Sequence, residues 1–373
     1  MIQKIKNSFD FILFFSLVPL VTGGLFVLNA FGEKAGSFDR QVIWLCVSLV
    51  LFFVFSTVDF RFLRKTWVVV GVYSFCLLLL VLILFVGSTV KGAQSWFHLG
   101  FFSFQPADLS KLAVILMLSK YFSKRHVEIA NIRHILVSGA YAFLVFGLTM
   151  LQPDLGSGMI VFMIWFGMIL VSGVSKKHVA AVLMLGIVTF SMLWLFGFKD
   201  YQKKRIMTFL NPLADVRGAG YNANQSIIAV GSGELFGKGI GYGTQSRLNF
   251  LPEYQTDFVF AAFAEEWGFF GVTLFLLSFT LLIVRILQNA YKGETNFEIL
   301  YGVGIAIWFI AHFTINVGMN MGLMPVTGIP LPFVSYGGSN LLISFAAIGI
   351  LMGMRRYARA AHRDVMKNEF LGV

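Results

Sequence analysis

Long apolar runs, broken at short intervals by polar stretches, dominate this chain. About ten of the runs approach 20 residues, the length at which an α-helix crosses roughly 30 Å of hydrocarbon. They predict spanning helices at roughly 10–31, 40–58, 66–87, 106–123, 134–151, 157–173, 178–197, 257–285, 298–320 and 339–357. In lipid, backbone polar groups must be satisfied within the spanning structure, which helices of this length achieve. The expectation is an all-α polytopic membrane protein forming a single domain over residues 1–373, with a large extracytoplasmic loop at about 198–257, between helices 7 and 8.

Composition agrees with that pattern. Hydrophobic residues make up 57% and charged residues 13%, at a mean hydropathy of +0.79, whereas a soluble domain carries about 25% charged residues. The net charge of +11 would suggest a nucleic-acid partner in a soluble chain. Here Lys and Arg gather at one set of helix ends, which marks the cytoplasmic side. That set comprises Lys4 and Lys6; Arg61, Arg64 and Lys65; Lys120, Lys124, Arg125 and Arg133; Lys176 and Lys177; Arg285 and Lys292; and Arg355, Arg356, Arg359, Arg363 and Lys367. The opposite short loops hold only Lys34, Arg40, Lys91 and Lys111. Both termini are therefore expected in the cytoplasm, and no nucleic acid is expected. The loop at 198–257 has seven basic residues, but long loops translocate regardless of charge. The first apolar run lacks an A-x-A cleavage site and is taken as the first span. Cys46 and Cys76 lie in different runs and suggest neither a disulfide nor a metal site.

Three outer segments are more than connectors. Residues 88–111 are amphipathic and aromatic-rich, as expected of chain lying in the interface. Residues 151–158 read LQPDLGSG, and residues 321–339 contain Pro325, Pro330 and Pro332, which forbid regular helix. Irregular backbone is tolerated at membrane depth where it lines a wet cavity, so these pieces are candidates to roof a cavity opening outward.

Asp108 and Lys111 share a face of the fourth span, either as a structural ion pair or with Lys111 facing an anionic substrate and Asp108 holding it. His312, Asn316 and Asn320 recur every four residues, the spacing of interhelical hydrogen-bonding glue. Glu265 and Glu266 are adjacent and should not both point one way. The glycine-rich stretch 231–243 lacks P-loop spacing, since Gly239 follows Lys238. The six histidines show no zinc-site spacing, and no nucleophile elbow appears. Carboxylate chemistry remains. Asp257 stands where the large loop re-enters the membrane, with Glu253 close by. An acid against apolar surface gains basicity, which suits a general base acting on a hydroxyl; the other reading of Asp257 is a helix N-cap.

Over nearly its whole length the chain resembles the SEDS family (shape, elongation, division and sporulation), the membrane glycosyltransferases of peptidoglycan synthesis. The carriers are KGAQSWFHLG (91–100), FQPADLSKLA (104–113), LQPDLGSG (151–158), the long stretches 218–239 and 243–268, and NVGMNMGLMPVTGIPLPFVSYGGSNLL (316–342). GTQSRLNFLPE and NVGMNMGLMPVTG look closer to the rod-elongation branch than to the division branch. The family's T-D-F motif falls on Thr256-Asp257-Phe258, which implies Asp257 as the catalytic acid. Its helix-four acid–lysine pair falls on Asp108 and Lys111, although the family commonly has Glu where this chain has Asp108. Its basic residues at the second span and in the D-Y-Q…R segment fall on Arg40 and Arg205. Glu234 stands where relatives often have glycine.

The resemblance implies polymerisation of lipid II, with Asp257 taking the acceptor proton. Lys111, Arg40 and Arg205 would stabilise the pyrophosphate leaving group, with Asp108 and Glu253 completing the substrate site. A divalent cation, Mg or Mn, could share that task. The implied partner is a class B penicillin-binding protein, and the implied location is the bacterial inner membrane. Two rivals are a lipid II flippase, which needs a polar path across the bilayer, and a non-catalytic scaffold, whose outer acids would tolerate neutral substitution.

Overall fold

The computed structural model describes residues 9–30, 36–90, 93–99, 102–124, 132–198, 200–211, 219–248 and 250–371, the last fifteen of these and a few others by backbone alone. Lys4, Lys6, Lys34, Lys91 and Arg125 lie outside the described residues, and the side chains of Arg359, Arg363 and Lys367 are not described.

The ten spans fall where the apolar runs put them. They are α1 (Phe11–Ala30), α2 (Ser37–Thr57), α3 (Thr66–Val86), α4 (Pro106–Ser123), α5 (Ile132–Leu151), α6 (Leu155–Val171) and α7 (Lys176–Met192), which continues as a π-helical turn over Leu193–Gly197. Two helices of the large loop follow, α8 (Asp200–Leu210) and α9 (Ala219–Ser232). The last three spans are α10 (Val259–Tyr291), α11 (Asn296–Asn320) and α12 (Gly338–Leu371). Among the described residues, eight helices are long and apolar enough to cross a membrane. The two exceptions have plain reasons: α6 has 17 residues, and α4 carries Asp108, Lys111 and Lys120. Buried on nearly every side, α4 packs against α3, α5, α6 and α11, as a helix at the centre of a bundle does. Pro106 starts it at a position where the missing N–H costs nothing.

The segment 88–104 has regular structure that the sequence reading did not specify. It folds into a three-stranded antiparallel sheet, β1 (Ser88–Val90), β2 (Ala93–Leu99) and β3 (Phe102–Phe104). Ser88 faces Trp96 across the first pair, with a bulge after it, and His98 faces Ser103 across the second. Alternation of Trp96 and His98 with Ser95 and Phe97 is the strand period, but these strands are too short to stand out in sequence.

α10 is broken at Gly268 (φ 62°, ψ −167°), a conformation open essentially to glycine alone. The break leaves backbone groups without helical partners, and the glycine-rich stretch supplies them. Lys238 N and Gly239 N donate to the carbonyls of Glu265 and Glu266 at 3.0 and 3.1 Å, while Phe269 N and Phe270 N donate to Glu234 O and Leu235 O at 2.8 and 3.1 Å. A Cβ on Gly237 would lie 2.0 Å from Glu266 O, so this approach requires glycine. Glu265 and Glu266 do not divide between interior and solvent as expected; both are buried. Glu265 accepts from Lys238 Nζ (2.7 Å), Thr244 Oγ1 (3.0 Å) and Gln245 N (3.1 Å), and Glu266 accepts from Gly241 N (2.7 Å). The adjacent acids both face the loop because it passes across the break.

At the end of the bundle where the basic residues gather, Asp10 accepts from Arg285 (2.6 Å) and Asn289 (2.9 Å) and pairs with Arg355 (2.8 Å). Burial works to raise its pKa, yet the bonds from Arg285 and Asn289 prevail and hold it at about 2. Arg64 pairs with Glu294 and Glu298 at 2.6 and 2.8 Å.

Candidate active site

At the opposite end lies a cavity of about 1340 Å³ lined by all six residues singled out from the sequence: Arg40, Asp108, Lys111, Arg205, Glu253 and Asp257. They reach it from separate elements. Arg40 stands in the first turn of α2, Asp108 and Lys111 in the first turns of α4, and Arg205 on α8, while Glu253 and Asp257 belong to the turn before α10.

Lys111 Nζ donates to Asp108 Oδ1 at 2.9 Å, with both side chains almost wholly buried. Such a pair holds its charges only because each stabilises the other. Asp108 Oδ2 is buried with no hydrogen-bond partner among the described residues. Arg40 is exposed and forms no ion pair among the described residues. Asp257 is half-buried, and Gly328 lies so near that a Cβ there would sit 3.5 Å from Asp257 Oδ2. Glu253 adopts a left-handed conformation (φ 58°), which is strained for a non-glycine residue. Its carbonyl accepts the N–H groups of Thr256, Asp257 and Phe258, each at 3.1 Å, and its carboxylate accepts from Thr256 Oγ1 at 3.0 Å. The N-cap of α10 is Phe258, and no side-chain cap bond is made there. Asp257 stands one residue before that position.

The three outer segments meet at this cavity. Gln94 N donates to Gln152 O (3.2 Å), Gln105 Nε2 to Asp154 Oδ2 (3.0 Å) and Gln105 N to Ser339 Oγ (3.2 Å). Ser335 Oγ and Tyr336 N donate to Thr256 O and Gln255 O at 2.6 and 2.8 Å. Gln41 Oε1 accepts from Gly337 N at 3.2 Å. The polar stripe of α11 also serves this roof, since His312 Nδ1 contacts Pro330 O at 3.0 Å and Asn316 Nδ2 donates to Ile329 O at 2.8 Å. Sequence reading missed Asp154, which lines the cavity and caps α6 by accepting from Ser157 N at 3.0 Å. The spacing Asp154-x-x-Ser157 before an apolar run was the available signal. His98, Tyr336 and Asn340, which also line the cavity, carry no comparable signature.

One side of the cavity is apolar. Phe143 and Phe146 of α5, Phe162 and Trp165 of α6, and Leu183 to Phe190 along α7 line it. Of the side chains on α7 only Val182 is buried, and among the described residues no other spanning helix packs closely along it. The site thus joins a cationic and acidic chamber to an apolar slot. Among the described residues no three His, Cys, Asp or Glu side chains are grouped so as to hold a metal ion.

Comparison with known proteins gives one consistent answer. The family model for the cell cycle protein family FtsW/RodA/SpoVE matches residues 5–360. The chain is 36% identical over 349 residues to the peptidoglycan glycosyltransferase MrdB of Escherichia coli (strain K12), covering 94% of each chain. Among solved structures, it resembles a chain of a peptidoglycan synthase complex described for its structural coordination of polymerization and crosslinking, with a TM-score of 0.80 at 30% identity and coverage of 94% of this chain and 98% of that one. It also resembles the rod shape determining protein RodA of Thermus thermophilus, with a TM-score of 0.71 at 29% identity and coverage of 93% and 97%.

Proposed function

The chain belongs to the FtsW/RodA/SpoVE family and is a peptidoglycan glycosyltransferase built as a multi-pass membrane protein, and from that premise we propose that it polymerises lipid II with Asp257 as the general base. The observation that carries the proposal is that Asp257, Lys111, Arg40 and Arg205 line one cavity that continues into an apolar slot.

A sugar hydroxyl of the acceptor attacks the anomeric carbon of the donor. Asp257 Oδ takes the hydroxyl proton as the new C–O bond forms. The bond from the anomeric carbon to the pyrophosphate oxygen breaks, and the electron pair leaves with the lipid pyrophosphate. Arg40, Arg205 and Lys111 stabilise the charge that grows on that group, and they do so most where water is scarce. Asp108 fixes the Lys111 ammonium, and Glu253 shapes the turn that carries Asp257. Direct attack without a covalent intermediate inverts the anomeric centre. The slot between α5, α6 and α7 receives the polyprenyl tail.

The same proposal places both termini on the cytoplasmic face of the bacterial inner membrane and the cavity on the outer face, which the distribution of Lys and Arg supports. Likeness to a synthase complex that coordinates polymerization and crosslinking supports a class B penicillin-binding protein transpeptidase as partner, and likeness to RodA supports a role in elongation. The test is polymer formation from purified lipid II, resolved on a gel. The protein should yield glycan strands, and Asp257→Ala should abolish them while remaining monodisperse. Polymer from Asp257→Ala at the unmodified rate would exclude this residue as the base.

A further inference from the structure

The start of α10 contains an interruption that the helix itself does not require. In an unbroken helix the N–H of Ala261 would donate to the carbonyl of Asp257, four residues earlier. The first regular bond is instead Ala262 N to Phe258 O at 3.2 Å. One step earlier, the side-chain amide of Asn320 stands between the two groups. Ala261 N donates to Asn320 Oδ1 at 3.0 Å, and Asn320 Nδ2 donates to Asp257 O at 3.1 Å. Asn316 Nδ2 is a second donor to the same carbonyl, at 3.0 Å.

The amide is itself held. Asn320 Nδ2 also donates to Asn316 O at 2.8 Å, and Ser226 Oγ of α9 donates to the backbone carbonyl of Asn320 at 2.9 Å and reaches its amide Oδ1 at 3.4 Å. Asn316, Asn320 and Ser226 are all fully buried. A satisfied polar network in a buried setting is rigid, because each lost bond leaves an unpaired group away from water. An Asn side chain carries the same donor and acceptor as a peptide unit, so it can substitute for one turn of backbone pairing and hold the chain open there.

We propose that Asn320 is a positioning residue for Asp257: its amide wedges apart the Ala261–Asp257 backbone pair, ends α10 at Val259, and leaves Asp257 in the preceding turn with its side chain in the cavity, with Asn316 as the second support. Without the wedge, Ala261 N and Asp257 O are free to pair, and α10 extends backwards. Each residue drawn into a helix turns by about 100°, which swings the Asp257 carboxylate away from its place. A shift of about 1 Å in a catalytic group costs on the order of 100-fold in rate. The catalytic part of this inference rests on Asp257 being the base, whereas the conformational part does not.

Two measurements separate these parts. The first uses no activity. In a Cys46→Ser background, which removes the exposed native thiol and leaves the buried Cys76, Asp257→Cys is treated with a charged methanethiosulfonate reagent, and its modification rate is compared with and without Asn320→Ala. The wedge requires the rate to fall at least tenfold in the folded, monodisperse Asn320→Ala protein; an unchanged rate overturns it. The second compares lipid II polymerisation by otherwise unmodified Asn320→Ala. Positioning lowers kcat about 100-fold with little change in KM, whereas simple instability lowers the amount of active protein and leaves thiol reactivity in the folded fraction untouched. Should Asn320→Ala fail to fold, Asn316→Ala removes one of the two donors to Asp257 O and must move both readouts in the same direction by less; no movement in either overturns the proposal. If Asp257→Ala retains activity while thiol reactivity still depends on Asn320, the assignment of the base fails and the wedge stands.

Discussion

Lys111 and Asp108 form a buried ion pair in the first turns of a helix that is otherwise packed on nearly every side. Breaking such a pair from one end leaves an uncompensated buried charge, at about 3–5 kcal/mol. Lys111→Met should therefore lower the unfolding midpoint in detergent sharply and abolish polymer. The double variant Asp108→Asn/Lys111→Met should recover most of the stability and none of the activity. If the double variant polymerises lipid II, Lys111 has no role at the leaving group. Asp108 and Lys111 were legible in the sequence because charge near membrane depth is costly and needs a function or a partner, and Asp257, with Glu253 beside it, as an acid at the point where the large loop re-enters the membrane; Arg40 and Arg205 carried no such signal and entered only through the family resemblance. Asn316 and Asn320 were legible only as hydrogen-bonding residues. Nothing in their spacing says that their partner is the backbone of Asp257, because that carbonyl is brought to them by a turn more than fifty residues away in the chain.

Among the elements, α10 shows most clearly what apolar periodicity misses. The run from Val259 onward reads as one uninterrupted span, since Gly268 sits among Trp267, Phe269 and Phe270 and disturbs no pattern. The break becomes necessary only when the loop at 233–241 is laid against it. A Cβ at Gly268 would lie 2.2 Å from Gly237 N, and the backbone there is closed to other residues at a cost of about 1–3 kcal/mol. Gly268→Ala should lower the thermal midpoint by at least that much and loosen the loop, read as faster cleavage near Lys238 by an added protease. Gly231→Ala is the control: it lies in α9 with open space around its Cα, so a gain of up to about 1 kcal/mol is expected. The strands at 88–104 were missed for a related reason. Two of them have three residues each, too few for an alternation to be recognised.

At the scale of the whole molecule, the spans were the most legible feature, because they follow from length and polarity, quantities that need no knowledge of neighbours. Interhelical clamps were not legible, and Asp10 is the clearest case: it joins α1 to Arg285 and Asn289 of α10 and to Arg355 of α12. Against the effect of its burial, the bonds from Arg285 and Asn289 hold its carboxyl at about 2, well below the usual carboxylate range. A depressed carboxyl contributes stability that is fully present above the unfolded value and is lost as pH falls through the folded one. The difference corresponds to about 2 kcal/mol. Asp10→Asn should therefore have a lower unfolding midpoint than the parent at pH 7. The gap should narrow as pH drops from about 4 towards 2, as followed by intrinsic fluorescence. A gap independent of pH would mean that the carboxylate's charge is irrelevant to the clamp.

The slot along α7 bears on how the reaction must be measured. On the lipid-linked substrate proposed above, a chamber open between helices would draw from the plane of the membrane, and encounters would be set by molecules per unit area. Adding inert detergent at constant total lipid II should therefore slow polymerisation in proportion to the fall in mole fraction, although the concentration in the tube is unchanged. Rates compared between preparations carry meaning only at matched surface density.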